Sequence, residues 1–174
     1  MEDIADILSL KPVTAVYSSD LQRAFKGAQI TAKRLGLKII KVPEFRELSL
    51  GRWEGLTRDE AIKKFPEEAE FRFRNLANSK VIGGESLQDL QNRVLPKLNE
   101  ILIQHQGKAI CLFAHGGVNR VILCDAMCLS VDNFFRIEQD YGCLNVIDYF
   151  EDGIRVVKLL NGGPNQLLKE TKVY

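Results

Sequence analysis

Apolar and polar positions change period several times along the chain, and each change marks an element. Residues 109–113, Ala-Ile-Cys-Leu-Phe, are a short apolar run that predicts a buried strand. Gly116 and Gly117 break the run. From Val118 the apolar positions recur at three- and four-residue steps, through Val121, Ile122, Cys124 or Asp125, and Cys128 or Leu129, which predicts a helix. The unit is a strand, a glycine turn carrying His115, and a helix. Such a turn puts His115 at the carboxyl end of a strand, beside backbone N–H groups that favour an anion, and a phosphate suits it. Taken alone, an isolated His-Gly after a strand is more often structural than catalytic.

The same reading runs along the whole chain. Residues 1–10 carry Ile4, Ile7 and Leu8 on one helical face and stop at Lys11-Pro12. A strand follows over 13–17, and Ser18-Ser19-Asp20 supply N-cap types for a helix over 21–35, closed by Gly36. Arg23 lies in its first turn, where a cation opposes the helix dipole and asks for an anion, either a carboxylate or a ligand. Residues 38–42 predict a strand ended by Pro43. Residues 45–56, with Glu47, Gly51, Gly55 and the single Trp53, predict a structured loop in which the indole is a packing anchor.

Thr57 to Glu60 has the spacing of a capping box and opens a short helix that Pro66 should end. Residues 67–75 mix charge with Phe71 and Phe73, so 57–80 is read as a small helical lid. Ser86, with Asp89 three residues on, caps a long helix through Leu87, Leu90, Val94, Leu98 and Ile101, which Pro96 should kink. Glu85 stands just before that cap on flexible glycines, either as a charge partner for the dipole or as a general acid over a pocket. His105, near the helix end, reads as a solvated residue without function. Residues 145–150 and 154–160 flank Glu151-Asp152-Gly153 and predict a hairpin, and the chain ends in a polar tail. Alternating strands and helices with a terminal hairpin make an α/β domain with a mostly parallel sheet.

Composition narrows the picture. The chain has 174 residues, is 45% hydrophobic and carries net charge +1, which suits one globular domain. Scattered basic residues predict no nucleic-acid partner, and no apolar run approaches a membrane span. Cys111, Cys124, Cys128 and Cys143 form no C-x-x-C pair and read as free thiols in a reducing cytoplasm; Cys124 and Cys128, four apart on one helix face, lack further ligands nearby, so no metal is expected.

Four motifs then come into view together: Y-S-S-D-L-Q-R-A from Tyr17, F-R-E-L-S-L-G-R-W-E-G-L from Phe45, G-G-E-S-L from Gly83 and A-H-G-G-V-N-R from Ala114. Their order and spacing resemble the histidine phosphatase superfamily, and most of all its α-ribazole phosphatase and phosphoglycerate-mutase-like branch, up to about the end of the hairpin. The resemblance implies one domain over 1–174 with a three-layer fold, helices on both faces of the sheet and a C-terminal hairpin. It also implies phosphoryl transfer to a nucleophilic histidine and then to water or another hydroxyl, with no cofactor and no metal. By position Arg23 would bind phosphate, Glu85 would protonate the leaving oxygen, and His115 with Gly116 would hold the phosphoryl oxygens. The substrate would be a small phosphorylated metabolite, α-ribazole-phosphate-like and so tied to cobalamin biosynthesis, in a cytoplasmic enzyme.

One departure matters. The family's Arg-His-Gly, which carries the nucleophile at the end of the first strand, does not occur in these 174 residues, and the only histidines are His105 and His115. The resemblance therefore implies an N-terminally truncated domain, its first strand absent from the sheet interior, nearly inactive, and open to homodimer formation through unpaired strand edges. Three readings remain: a truncated phosphatase or mutase, a non-catalytic protein that binds phosphate ligands or a partner, and weak catalysis with His115 as nucleophile.

Overall fold

Three parallel strands form the centre of the computed structural model, which describes residues 2–163 and 166. In chain order they follow from α1 (Glu2–Ser9): β1 (Val13–Ser18), α2 (Gln22–Leu35) and β2 (Ile39–Lys41), with β3 (Ala109–Phe113) added much later. Their order is β2-β1-β3, with Val16 opposite Ile39 and Cys111, and Tyr17 opposite Ile40 and Leu112.

Alternation along the strands sorts two cores. Ala15, Tyr17, Ile110 and Leu112 face one side, where Leu87, Leu90, Val94 and Leu98 of α5 (Leu87–Gln104) pack with Val118, Val121 and Ile122 of α6 (Gly116–Ala126). Val16, Cys111 and Phe113 face the other, against Ile4 and Leu8 of α1 and Ala28 and Ala32 of α2. Each fully buried leucine, such as Leu87 or Leu90, stabilises the fold by about 1.5–3 kcal/mol. Helices thus cover both faces of the sheet, as expected. A separate antiparallel pair, β4 (Leu144–Tyr149) and β5 (Arg155–Gly162), forms the hairpin. Among the described residues no strand joins this pair to β3.

Local details correct several expectations. The N-cap of α2 is Leu21, without a side-chain cap, because Ser18 and Ser19 are buried at the end of β1. Helix α6 begins at Gly116, two residues earlier than the apolar period indicates, since His115 is its extended N-cap. It ends at Ala126, so Cys128, at φ 55°, does not share a helix face with Cys124. Pro66 does follow the end of α3 (Arg58–Lys64), as expected, and it also opens α4 (Pro66–Arg74) directly after, because a proline at the first helical position needs no N–H partner. Pro96 lies on the exposed face of α5, which continues to Gln104. The predicted polar tail lies outside the described residues, apart from Gln166.

The capping box at Thr57 and Glu60 is present, and so is the one at Ser86 and Asp89, where each backbone N–H meets the other's side chain at 3.0 Å. Helices α3 and α4 share a small core of Trp53, Ala61, Ala69 and Val81. The carboxylate of Glu68 fastens it, accepting from the Trp53 indole at 2.7 Å and from Arg52 at 3.1 Å.

Candidate functional site

Polar residues replace apolar ones where β1 and β3 end, and there the chain brings distant groups together. The Ser19 N–H donates to the Phe113 carbonyl at 2.9 Å, which extends the ladder one residue past β1 and sets Ser19 beside His115. The imidazole is 6% exposed. Its Nδ1 accepts from Arg23 Nε at 3.0 Å, and its Nε2 lies 2.9 Å from Ser19 Oγ. Because guanidinium can only donate, Nδ1 carries no proton, so the proton sits on Nε2 and is given to the serine. Burial, then the charges of Arg23 and Arg93, pull the His115 pKa down to about 4, with Asp20 opposing. His115 is a neutral imidazole of fixed tautomer at neutral pH.

Arg23 is exposed and reaches back from the first turn of α2. Its partner is the imidazole, so its cationic charge is not neutralised by that contact. Asp20, the nearby carboxylate, is held by Arg46 through Nε at 2.7 Å, and that hydrogen bond lowers its pKa despite some desolvation.

The start of α6 is only partly open. Glu47 Oε1 accepts the Gly117 N–H at 3.0 Å, and the same oxygen accepts the Leu48 N–H at 2.9 Å. The carboxylate therefore offsets the helix dipole from within the fold. A Cβ on Gly117 would meet that oxygen and push the Glu47 carboxylate away from the helix start. Gly116 lies one residue nearer His115, and its amide makes no hydrogen bond among the described residues.

Glu85 is anchored more firmly than flexible glycines suggest. Its two oxygens pair with Arg93 Nε at 2.7 Å and Nη2 at 2.9 Å, and the Ser49 N–H donates to it at 3.0 Å. Burial raises its pKa, but the hydrogen bonds from Arg93 and Ser49 outweigh that and carry it below the ordinary value. Arg93 Nη2 also donates to the Glu47 carbonyl at 3.2 Å. Glu85 is thus connected to the start of α6 through Arg93 and Glu47.

Arg23 meets His115, with Gly116 next along the chain, while Glu85 reaches the start of α6 only through that network. Sequence reasoning missed Ser19, Glu47 and Arg93. Glu47 already lay inside one of the quoted motifs, and Arg93 follows Glu85 by eight residues on the adjoining helix. His105 is corrected: it is half-buried, with Nε2 2.8 Å from the Tyr17 hydroxyl, because the end of α5 returns to β1. No helix among the described residues is long and apolar enough to cross a membrane.

Known proteins resemble this chain over most of its length. Residues 1–162 match the model of the histidine phosphatase superfamily, branch 1. A bifunctional protein of Mycobacterium tuberculosis is 30% identical over 151 residues, covering 86% of this chain and 41% of that protein, so the chain spans about two fifths of that relative's length. Phosphoserine phosphatase 1 of Hydrogenobacter thermophilus is 27% identical over 158 residues, 91% of this chain and 74% of the relative. Among solved structures, a mycobacterial glucosyl-3-phosphoglycerate phosphatase in complex with inorganic phosphate is 26% identical, with TM-score 0.80, over 94% of this chain and 84% of that one.

Proposed function

The chain belongs to the histidine phosphatase superfamily, and from that premise we propose that it binds the phosphoryl group of a small phosphorylated metabolite at Arg23, His115 and Gly116, in the architecture of a phosphomonoesterase that works through a phosphohistidine without a metal. The observation that carries this reading is the hydrogen bond from Arg23 to His115, which leaves a neutral imidazole with its proton on Nε2 beside an exposed guanidinium. Phosphate oxygens accept from both groups. The guanidinium supplies charge and paired donors, and the imidazole N–H exchanges Ser19 for a phosphoryl oxygen. The free Gly116 amide adds a donor at the start of α6.

In turnover Glu85 would protonate the leaving oxygen, the role the sequence resemblance implies for it, and for that it must take up a proton and loosen from Arg93. The transferred phosphoryl group requires a nucleophile, and the 174 residues contain no Arg-His-Gly to supply the family's histidine. We therefore expect phosphate binding with activity near background for these 174 residues. Phosphoserine and glucosyl-3-phosphoglycerate, the substrates in the names of two relatives, are suitable first ligands, and α-ribazole phosphate is a third, from the sequence resemblance to that branch.

A second reading, binding of phosphorylated ligands without turnover, is favoured by Arg93, which keeps Glu85 ionised where a general acid needs a proton. Isothermal titration with inorganic phosphate and with phosphoserine tests the binding that both readings share, and hydrolysis of an aryl phosphate, with and without a chelator, by the chain extended with a strand ending in Arg-His-Gly separates them, since only the first reading expects the extension to restore turnover. Saturable heat lost in Arg23→Ala supports the site. No heat at millimolar ligand rejects it. Hydrolysis that the chelator leaves intact and His115→Ala abolishes would show turnover that needs His115, and a phosphoryl group found covalently on its imidazole would make His115 itself the nucleophile.

A further inference from the structure

One carboxylate away from the phosphate site holds three separate segments. Glu68 is a half-buried residue of α4. Its Oε2 accepts from the Trp53 indole and from Arg52 Nε, both on the turn at 51–53, and its Oε1 accepts the Ile82 N–H at 3.2 Å. The turn and Ile82 are also joined directly, since the Arg52 N–H donates to the Ile82 carbonyl at 3.1 Å. Ile82 therefore has its N–H bound to Glu68 and its C=O bound to a residue that Glu68 also holds.

The same two segments end at Glu85. Ser49 stands three residues before Arg52, and Glu85 three after Ile82. They are laced twice: the Glu85 N–H donates to the Ser49 carbonyl at 2.9 Å, and the Ser49 N–H donates to the Glu85 carboxylate at 3.0 Å. Between the lacings Gly51 and Gly84 approach so closely that a Cβ on either would strike the other's backbone. Such close packing leaves no slack, so a shift at Ile82 is carried to Glu85. Charge matters at the Glu68 end. Arg52 lies 4.1 Å over the Phe65 ring, and Arg72, buried one turn along α4, has the Glu68 charge to oppose the cost of its burial. A neutral carboxamide would offer one acceptor oxygen in place of two and turn an N–H₂ towards donors.

We propose that Glu68 is a positioning residue for Glu85: through Ile82 and Arg52 it sets how the 49–53 and 82–85 segments meet, and so where Ser49 and Arg93 hold the Glu85 carboxylate. It touches no substrate. The proposal rests on the role given above to Glu85, and it makes the α3–α4 pair a brace for that carboxylate.

The test uses the full chain. In Glu68→Gln the Ser49 amide should exchange at least about tenfold faster, with α2 amides unchanged. The Glu85 carboxyl, followed by carbon-13 NMR, should titrate closer to its ordinary value than in the parent, because the Ser49 hydrogen bond is one of the contacts that lower it. Trp53→Phe removes one donor to Glu68 and keeps a ring in the small core, so it should move both readouts the same way by less, and it serves where Glu68→Gln fails to fold. Ala69→Gly loosens that core without touching the carboxylate and should leave the Glu85 titration in place. A Glu85 titration unmoved in both Glu68→Gln and Trp53→Phe overturns the proposal. An equal shift in Ala69→Gly overturns it too, because Glu68 would then matter to the stability of the helix pair alone. Calorimetry with inorganic phosphate keeps the two claims apart. Binding should persist in Glu68→Gln, and its absence from the parent would reject the phosphate site while the Glu85 titrations still decide what Glu68 does.

Discussion

Arg23 Nε donates to His115 Nδ1 at 3.0 Å, so a buried imidazole that is already hard to protonate also faces a cation. The consequence is a pH dependence. His115 has its pKa lowered from 6.5 to about 4 by burial and then by Arg23 and Arg93. The unfolded chain therefore takes up this proton before the folded one does. Stability from this group is fully present above pH 6.5 and is lost as pH falls towards about 4, by an amount on the order of 3 kcal/mol. Urea unfolding across that range, with the imidazole followed by NMR, checks it. An imidazole that titrates near 6.5 in the folded chain would refute it.

Removing the cation should move two observables together. In Arg23→Ala, phosphate affinity should fall by roughly 10- to 100-fold, since a charged hydrogen-bonding partner is lost. The His115 pKa should rise from about 4 without reaching its ordinary value, because burial is the larger cause. Arg23 is exposed, so stability at neutral pH should change little. Weaker phosphate binding with an unmoved His115 titration would mean that the two residues are not coupled.

What the sequence made legible follows from the range of the forces involved. Helix α5 was readable because its apolar residues and its cap at Ser86 are local periodicities, and burial on one face follows from them. The start of α6 was displaced because two glycines hide a helical turn from a hydrophobic pattern. Arg23, His115 and Gly116 stand in sequence motifs, which single them out as candidates. Ser19 was read as a cap because its true partner, His115, lies 96 residues away, and no local pattern carries that contact. Arg93 was overlooked for a different reason: one guanidinium on a helix face looks like a solvated charge until the fold brings Glu85, Glu44 and Glu47 around it.

The Glu85–Arg93 pair has its own acid limb. With its pKa lowered by Arg93 and Ser49 against the effect of burial, Glu85 contributes stability above its unfolded value and loses it as pH falls through the folded one. Glu85→Gln should remove that loss below about pH 4.5 while leaving the His115 limb intact. Arg93→Ala should cost about 2 kcal/mol at neutral pH, less than a fully buried pair, because both side chains are about one quarter exposed. The same substitution should raise the His115 pKa, as Arg93 also depresses it. Denaturant midpoints at pH 7 and pH 4 decide the matter, and a Glu85→Gln profile that overlays the parent at both would count against the ion pair as a stabilising contact.

Two glycines in the loop beside Glu85 separate backbone strain from close packing. Gly51 has φ 52° and Gly55 has φ 78°, so an alanine at either is strained by roughly 1 kcal/mol or more. Only at Gly51 is there no room. A Cβ there would collide with the Ile82 carbonyl and the Gly84 amide, backbone atoms of the segment that presents Glu85, whereas the space around Gly55 is open. Backbone cannot rotate out of the way as a side chain can. Gly51→Ala should therefore cost at least about 2 kcal/mol more than Gly55→Ala, by strain and overpacking together. It should also disturb the Glu85 contact with Ser49, since Gly84 and Glu85 shift with the loop. Thermal unfolding of the two variants side by side is the measurement, and equal losses would show that the loops meet less closely than their backbone positions require.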